Sequence, residues 1–412
     1  MEKQIEQPYM TMKAIGHNMK CRDFQYEIGK TYEIPQDQRI SVCSKGFHAI
    51  KKDLPPTALF KYYSPAEYGK PSHYCKVAID GEMDEYYGKV VGRKISILGE
   101  MDIVQLCEAQ RNWLRNLPQD INSRKMKDVL FGCGTYIDDD TTFENKVISI
   151  NDNALGSSFS IAEKYGPGVA AAGAYSYSHV GVLGTAIAGA NSVAIANDSG
   201  TAVAGDRSIV KVGHYGSAVA GAESIVEGAN NGIAVGGSNS FVKAGEGASA
   251  LAGEAGFASV KANGVALSGS YGRAMAGVFG SAIAGMHGMA SAGNFGKAMV
   301  SDEGLAAAGD YGIALSSNDS CSQVGDYGVA MSKGKIILGK HSIGIARGTN
   351  PCAKAGKDSM FILIQTDDDN IDMQKIYHCY VDGKTVKANT WYGIVDNMLT
   401  EISEPDIIEN EK

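Results

Sequence analysis

The chain has little proline and almost no tryptophan, with 10 and 2 in 412 residues, against 51 glycines. So much glycine without proline excludes a collagen-like repeat and a proline-rich disordered chain. Basic charge is not in excess either, since the formal net charge is −8. A nucleic-acid-binding face needs clustered Lys and Arg, so no nucleic-acid partner is expected. No Cys-x-x-Cys pair occurs among Cys21, Cys43, Cys75, Cys107, Cys133, Cys321, Cys352 and Cys379. Zinc sites want closely spaced ligand pairs. These cysteines therefore read as free thiols in a reducing compartment or as small buried apolar residues, and no metal or cofactor is expected. The stretch Gly168 to Ala190 is apolar by count, but it is Ala and Gly interrupted by Ser176, Ser178 and His179. Membrane insertion is not expected there. Residues Met1 to Tyr9 carry Glu2 and Glu6 and no apolar run, so no signal peptide is expected.

What the sequence does have is a repeat. Of the 25 positions taken every eighth residue from Ala154 to Ala346, 19 are Ala. The exceptions are Ser178, Val210, Val226, Val242, Ser322 and Leu338, and the register reads as unbroken. A fixed period held this long marks a repeat architecture. The best-preserved unit is Gly-x-aromatic-Gly-x-Ala-x-Ala, as in Gly213 to Ala220, Gly269 to Ala276 and Gly277 to Ala284; Gly325 to Ser332 is a close variant. The x-Ala-x-Ala half has period two and predicts a strand. The Gly-x-x-Gly half predicts a turn, where Gly tolerates positive φ and close backbone approach. Glycines this dense would each cost a helix about 1 kcal/mol relative to Ala, so helix is excluded.

A longer period hides in the first. The residue before each strand alternates Gly168, Ser176, Gly184, Ser192, Gly200, Ser208, Gly216, Ser224, Gly232, Ser240. The coil is therefore 16 residues, two short strands and two turns. About twelve coils at roughly 4.8 Å would extend on the order of 60 Å. The expected fold class is mainly β: a parallel β-solenoid flanked by a small α+β N-terminal domain and a β-rich C-terminal cap.

Residues flanking the Ala share one strand face, and Lys211, Glu227 and Lys243 lie on it. Unpaired charge in so narrow a core would be prohibitive, so this face is outward and Ala fills the core. At 16-residue spacing the outward face reads Ile187, Val203, Val219, Val235, Leu251, Leu267, Ile283, Met299, Leu315, Met331. The equivalent site on the other strand, Ile195, Lys211, Glu227, Lys243, Ser259, Met275, Ser291, is mostly polar. So continuous an apolar stripe exceeds what a monomer normally exposes, and it predicts the seam of a parallel homotrimer.

The phrases Asn191 to Ala196 (NSVAIA) and Gly216 to Gly221 (GSAVAG) resemble the head repeats of trimeric autotransporter adhesins. That resemblance covers about half the chain and implies β-rolls packed as trimers. The departures are an eight-residue repeat and the lack of a signal peptide, heptad stalk and C-terminal membrane anchor, so a surface autotransporter is not expected.

The chain divides into an α+β domain at 9–117, a linker or entry segment at 118–150 with an acidic run at Asp138 to Asp140, the solenoid at 151–346, a cap at 347–400 and an acidic tail at 401–412. Strands are expected at Met12 to Ile15, Phe24 to Tyr26, Thr31 to Ile34, Tyr74 to Ile79 and Lys89 to Ile97. A helix capped by Asp102 is expected to Leu117, with Ile103, Leu106, Trp113 and Leu114 on one face. In the cap, strands are expected at Met360 to Gln365, Tyr377 to Val381 and Lys387 to Ile394, with Asp382-Gly383 as a hairpin turn. An open solenoid end exposes strand edges, so a cap is expected on physical grounds. The pattern Lys13-Ala, Cys21-Arg-x-Phe-x-Tyr-x-x-Gly-Lys-x-Tyr and Lys45-Gly-Phe-His-Ala, followed by Tyr62-Tyr63, resembles an uncharacterised N-terminal domain of phage and prophage proteins. The tail resembles the C-terminal β module of the same proteins. These resemblances imply a phage or prophage origin and a place in the bacterial cytoplasm or a virion.

Chemistry-bearing candidates are few. His48, Tyr63 and Glu100 occur in an order that resembles ADP-ribosyltransferase sites, where His binds a ribose, Tyr stacks and Glu polarises a hydroxyl. The competing reading of His48 is structural. Asp367, Asp368, Asp369 and Asp372 lack the Gly and terminal Glu of an EF-hand, and read as a solvated loop. Tyr215, Tyr271, Phe279, Phe295, Tyr311 and Tyr327 fall at turn corners, where packing or sugar stacking would use them. Only Thr185 and Thr201 fit a Thr array, so ice binding is rejected. The reading that results is a non-enzymatic structural or interaction protein whose partners are further copies of itself and a protein or glycan. The alternative is an ADP-ribosyltransferase-like N-terminal enzyme on a solenoid scaffold.

Overall fold

The computed structural model of the chain describes residues 8–41, 44–86, 88–116, 146–149, 154–156, 158–367 and 373–405. Two compact units are distinguished, Met1–Val212 with Val219–Ile225 and Gly213–Ala218 with Val226–Lys412, and the division falls inside the repeat. The fold is mainly β, with a parallel β-solenoid of about 13 turns over residues 154–365, an N-terminal β domain and a β-rich C-terminus. The acidic run at Asp138 to Asp140 lies outside the described residues.

In the first unit, the N-terminal domain contains β1 (Tyr9–Ile15), β2 (Lys20–Cys21), β3 (Phe24–Gln25), β4 (Thr31–Glu33), β5 (Phe47–Ile50), β6 (Ala66–Glu67), β7 (Lys70–Pro71), β8 (His73–Tyr86) and β9 (Lys89–Glu100). The main sheet runs β1-β8-β9, and β4 and β5 share the far edge of β9. β5 was not expected as a strand, and β8 runs past the expected Ile79 into an exposed arm. Although β1 and β5 share no ladder, Thr11 Oγ1 donates to Ile50 O at 2.5 Å and Lys13 Nζ to His48 O at 2.7 Å. Two side chains from one face of β1 thus hold the far edge of the sheet, which means the sheet curls on itself.

The helix α1 spans Ile103–Arg115, and Asp102 caps it in a reciprocal capping box with Gln105. Its buried face is Leu106, Cys107, Gln110 and Leu114; Ile103 and Trp113 are only half-buried. Gln110 is fully buried because both ends of its amide are used: it accepts from Thr57 N at 3.1 Å and donates to Tyr175 O at 2.9 Å. Beside it, Arg111 meets the buried Glu163 at 2.5 Å, with Arg115 at 3.5 Å from the same carboxylate. Ser64 adds a bond to Glu223 at 2.9 Å. The domain is therefore fastened to the first coils. The outward residues Ile161, Tyr177, Val193, Ile209 and Ile225, on the strand face it meets, are buried.

The coils repeat one arrangement. Each strand pairs in parallel with the strand 16 residues on, as Thr185↔Thr201 and Val193↔Ile209 in the first unit and Ile233↔Ser249 and Phe241↔Phe257 in the second. The Ala column is inward, with Ala170, Ala186, Ala202, Ala234, Ala250, Ala266, Ala282 and Ala298 at 0% exposure. Where one face carries a larger residue, the facing backbone gives way. A Cβ on Gly236 would lie 2.8 Å from Val242 Cγ2, and one on Gly344 would lie 2.7 Å from Ile336 Cδ1.

The corners use two devices. On one, buried serines form a ladder: the amides of Ser176 and Ser192 donate to the hydroxyls of Ser192 and Ser208 at 3.0 and 3.2 Å. Each hydroxyl then donates locally, as Ser192 to Ala190 O at 3.0 Å. On the other corner stands Gly, but not for its φ. Positive φ falls on the preceding residue, such as Tyr215 at 57° or Phe279 at 57°. Gly232 is needed because a Cβ there would lie 2.7 Å from Gly216 O of the neighbouring coil.

The register is not unbroken. Coils advance by 16 until an irregularity between Leu315 and Cys321; beyond it Cys321 pairs with Lys335 and Val329 with Ile343, each 14 residues on. Fourteen is even, so strand parity survives and Leu338 and Ala346 still point inward at 4% and 0% exposure. That is why the eight-residue count passed over the deletion. The cap closes both strand faces. Met360–Thr366 pairs antiparallel with Met373–Tyr380, and Cys352–Ala355 with Trp391–Val395, which pairs with Met398–Glu401. The expected hairpin at Asp382-Gly383 is thus corrected, because the strands flanking it pair elsewhere. Asp382 instead accepts from the amides of Lys384, Thr385 and Val386 at 2.8–3.1 Å.

Ala266→Leu should overpack the core and lower stability by about 1–3 kcal/mol or more. Leu267→Ala, on the outward face beside it, should change stability by less. Urea denaturation followed by circular dichroism measures both; equal effects would mean the Ala column is not the tight one.

Candidate functional site

Two features carry chemistry or recognition: a cavity in the N-terminal domain and the outward solenoid face. The cavity has a volume of 640 Å³ and is walled by β1, the β2–β3 hairpin, β5 and the end of the 3-10 helix Pro56–Lys61. Phe24, Tyr26 and Phe47 pack edge-on or tilted, with centroids 4.8–6.4 Å apart, and with Tyr62 and Tyr63 they make its walls largely aromatic. The polar groups are Lys13, Cys21, Arg22, Asp23, Ser44, His48 and Lys89.

Lys13 is 4% exposed. It lies two residues before Ile15 on β1, and Ile15 belongs to the domain core, so strand parity puts the Lys13 side chain on the same inward face. Its ammonium donates to His48 O, lies 4.0 Å from Cys21 Sγ and sits 5.0 Å from the Tyr26 ring centroid. Among the described residues it makes no ion pair with a carboxylate. Burial pushes its pKa down. His48 falls from its usual 6.5 to about 4, first through burial and then through the Lys13 charge. Tyr63 is pushed up to about 12 by burial and by a hydrogen bond with the Cys21 thiol.

The structure brings His48 and Tyr63 to one cavity. Glu100 is not in its lining: it ends β9 and binds His73 Nδ1 at 2.7 Å. Sequence reasoning missed Lys13 as a site residue. The available signal was a lysine at an inward position of a strand with no other charged residue. Asp368, Asp369 and Asp372 lie outside the described residues, and no cluster of metal-ligating side chains occurs among those described. No helix among them is long and apolar enough to cross a membrane.

The corner aromatics are stacked. Phe279, Phe295, Tyr311 and Tyr327 follow one another with centroids 4.9–5.0 Å apart and planes within 14°, and His341 continues the stack at 4.9 Å. Their faces cover one another, so a sugar finds ring edges along this corner. Tyr271 stands on the other corner, stacked on His287 at 4.7 Å, and Tyr215 is 68% exposed.

In the first unit Ile187 and Val219 are exposed and Val203 is half-buried, all outward. In the second unit Val235, Leu251, Leu267, Ile283, Met299, Leu315 and Met331 form one parallel column that continues through Ile345 and Ile362. None of these nine is buried, and Ile283, Met299 and Met331 are 37–45% exposed. The adjacent outward column adds Ile233, Val265, Ile313, Val329, Ile343 and Met360, broken by Ser249, Ser281 and Lys297. The opposite face is mixed, with Lys243, Arg273 and Lys335 among its outward residues.

Residues 9–109 match a family described as a domain of unknown function (DUF7666). No curated protein and no solved structure matches the chain.

Between pH 6.5 and about 4, unfolded His48 is protonated while the folded ring stays neutral. Folding stability contributed by the neutral ring is therefore present above 6.5 and lost as pH falls toward about 4. His48→Gln should flatten that part of the pH–stability profile, measured by urea denaturation at stepped pH. An unchanged profile would place the ring in solvent.

Proposed function

We propose that the chain is a non-enzymatic scaffold that self-associates through the apolar outward face of its solenoid and carries its N-terminal domain on the first coils. The observation that supports this reading is the nine-residue outward column from Val235 to Ile362. If each side chain buries roughly 60 Å² at about 25 cal/mol per Å², the column supplies on the order of 13 kcal/mol per chain. With the six apolar neighbours the sum reaches on the order of 20 kcal/mol, against an association penalty of ~4–15 kcal/mol. The two columns also approach the roughly 20–30 residues per side of a stable interface. A second copy presents the same face in the same register, and three parallel copies around one axis bury it equally on every chain. The resemblance of the central repeats to trimeric adhesin heads supports the same arrangement. The resemblance of the flanking domains to phage and prophage proteins supports a structural or host-interaction role in such an assembly.

Light scattering at micromolar concentration should return three times the chain mass of 43.5 kDa. Val235→Asp with Leu251→Asp should return the single-chain mass with an unchanged circular dichroism spectrum. A monomeric unmodified protein would remove the seam.

A further inference from the structure

We propose that the cavity of the N-terminal domain binds a small organic anion, a flat aromatic body whose carboxylate or phosphate pairs with the Lys13 ammonium. The inference goes beyond the scaffold reading and stands on different residues. Four observations carry it.

The first is size. A volume of 640 Å³ lies within the roughly 300–1,000 Å³ of small-molecule sites. The second is the buried charge. Lys13 is held by a carbonyl oxygen and faces an aromatic ring, two groups that favour a cation and carry no formal charge. A buried cation without an ionic partner is unfavourable, and an anion in the cavity would supply that partner. The third is charge balance. The lining holds Lys13, Arg22 and Lys89 against the single acid Asp23, and His48 stays neutral above about pH 4. A cation or zwitterion would meet net positive walls. The fourth is the shape of the walls. Phe24, Tyr26, Phe47, Tyr62 and Tyr63 leave flat apolar surface for a ring, with the Tyr63 hydroxyl and the neutral His48 ring as hydrogen-bonding groups for orientation.

Lys13 also has a structural duty, since its bond to His48 O helps hold β5 against β1. The test separates the two. Calorimetry on the full chain uses two pairs of probes: 2-naphthoate with 2-naphthamide, and adenosine 5′-monophosphate with adenosine. The acid of at least one pair should bind at least tenfold more tightly than its uncharged partner, and which pair responds distinguishes a carboxylate from a phosphate ligand. Lys13→Met should abolish the difference, whereas Lys13→Arg should retain part of it. Should Lys13→Met fail to fold, the unmodified protein still decides. The acid's affinity for the unmodified protein should fall as salt is raised, while that of its uncharged partner should not. Equal affinity for charged and uncharged probes, no binding of either acid, or the same salt response for acid and uncharged partner would overturn the proposal.

Discussion

Everything in the solenoid follows from how close its two strand faces must come. The inward positions are Ala because the gap between faces has room for a methyl group from each side. Two of the exceptions, Val242 and Leu338, obey the same limit in compensated form. Val242 is matched by Gly236, and Ile336 and Leu338 by Gly344. The cross-section is conserved while its distribution shifts from one face to the other, as close packing demands. A thin core supplies little apolar burial per residue. The coils therefore rely on a continuous ladder of backbone hydrogen bonds, and neither corner can leave an amide unpaired.

The corners show how this is met. The residue at positive φ is Tyr, Phe, Asn or His far more often than Gly, although a left-handed L-residue costs roughly 1–2 kcal/mol. Its amide is turned toward the next coil, as Tyr215 N donates to Asn230 O at 3.0 Å and Tyr271 N to Met286 O at 2.8 Å. The same backbone turn sends the side chain outward at the spacing of the coils, so aromatic residues stack ring on ring. A stacked pair contributes about 0.5–1.5 kcal/mol beyond its buried area, which offsets much of the strain. Gly follows because the neighbouring coil's carbonyl occupies the place of its Cβ, and Ser appears where the hydroxyl is needed as an acceptor.

Strand, turn, coil length and inward face were legible in the sequence because each is a period, and periods survive in a linear string. The 14-residue coil at Val329 to Ile343 was not legible, since a shift by an even number leaves the in–out alternation intact. Positive φ was assigned to Gly on propensity alone, while the structure puts it one residue earlier, where hydrogen bonding to the next coil overrides preference. In the N-terminal domain the failures have another cause. β5 carries only Phe47–Ile50, too short for a pattern, and its pairing with β9 comes from residues about 40 positions away. His48 and Tyr63 meet because β5 and the segment after the 3-10 helix both wall the cavity, but their order in the chain said nothing about Glu100, which strand β9 carries to a different partner. Lys13 was readable as a motif residue and not as a buried charge, because burial is a property of the curled sheet.

The two parts of the molecule divide their tasks for a physical reason. A solenoid coil has little interior volume to spare: its inward groups are mostly methyls, and its corners are stacked or hydrogen-bonded to the next coil. The surface such a body offers is its outward columns, extended and at fixed spacing. A cavity needs the opposite, a sheet that curls and edges that do not close on a ladder. The N-terminal domain has this opening between β1 and β5. The opening is bridged by Thr11 and Lys13 in place of backbone bonds, and the bridge puts a cation where a closed sheet would have put an amide. Fastening that domain to the first coils through Gln110, Arg111 and Glu163 fixes its α1 helix to a rigid ladder while leaving the cavity wall of β1, β5 and the β2–β3 hairpin out of those contacts.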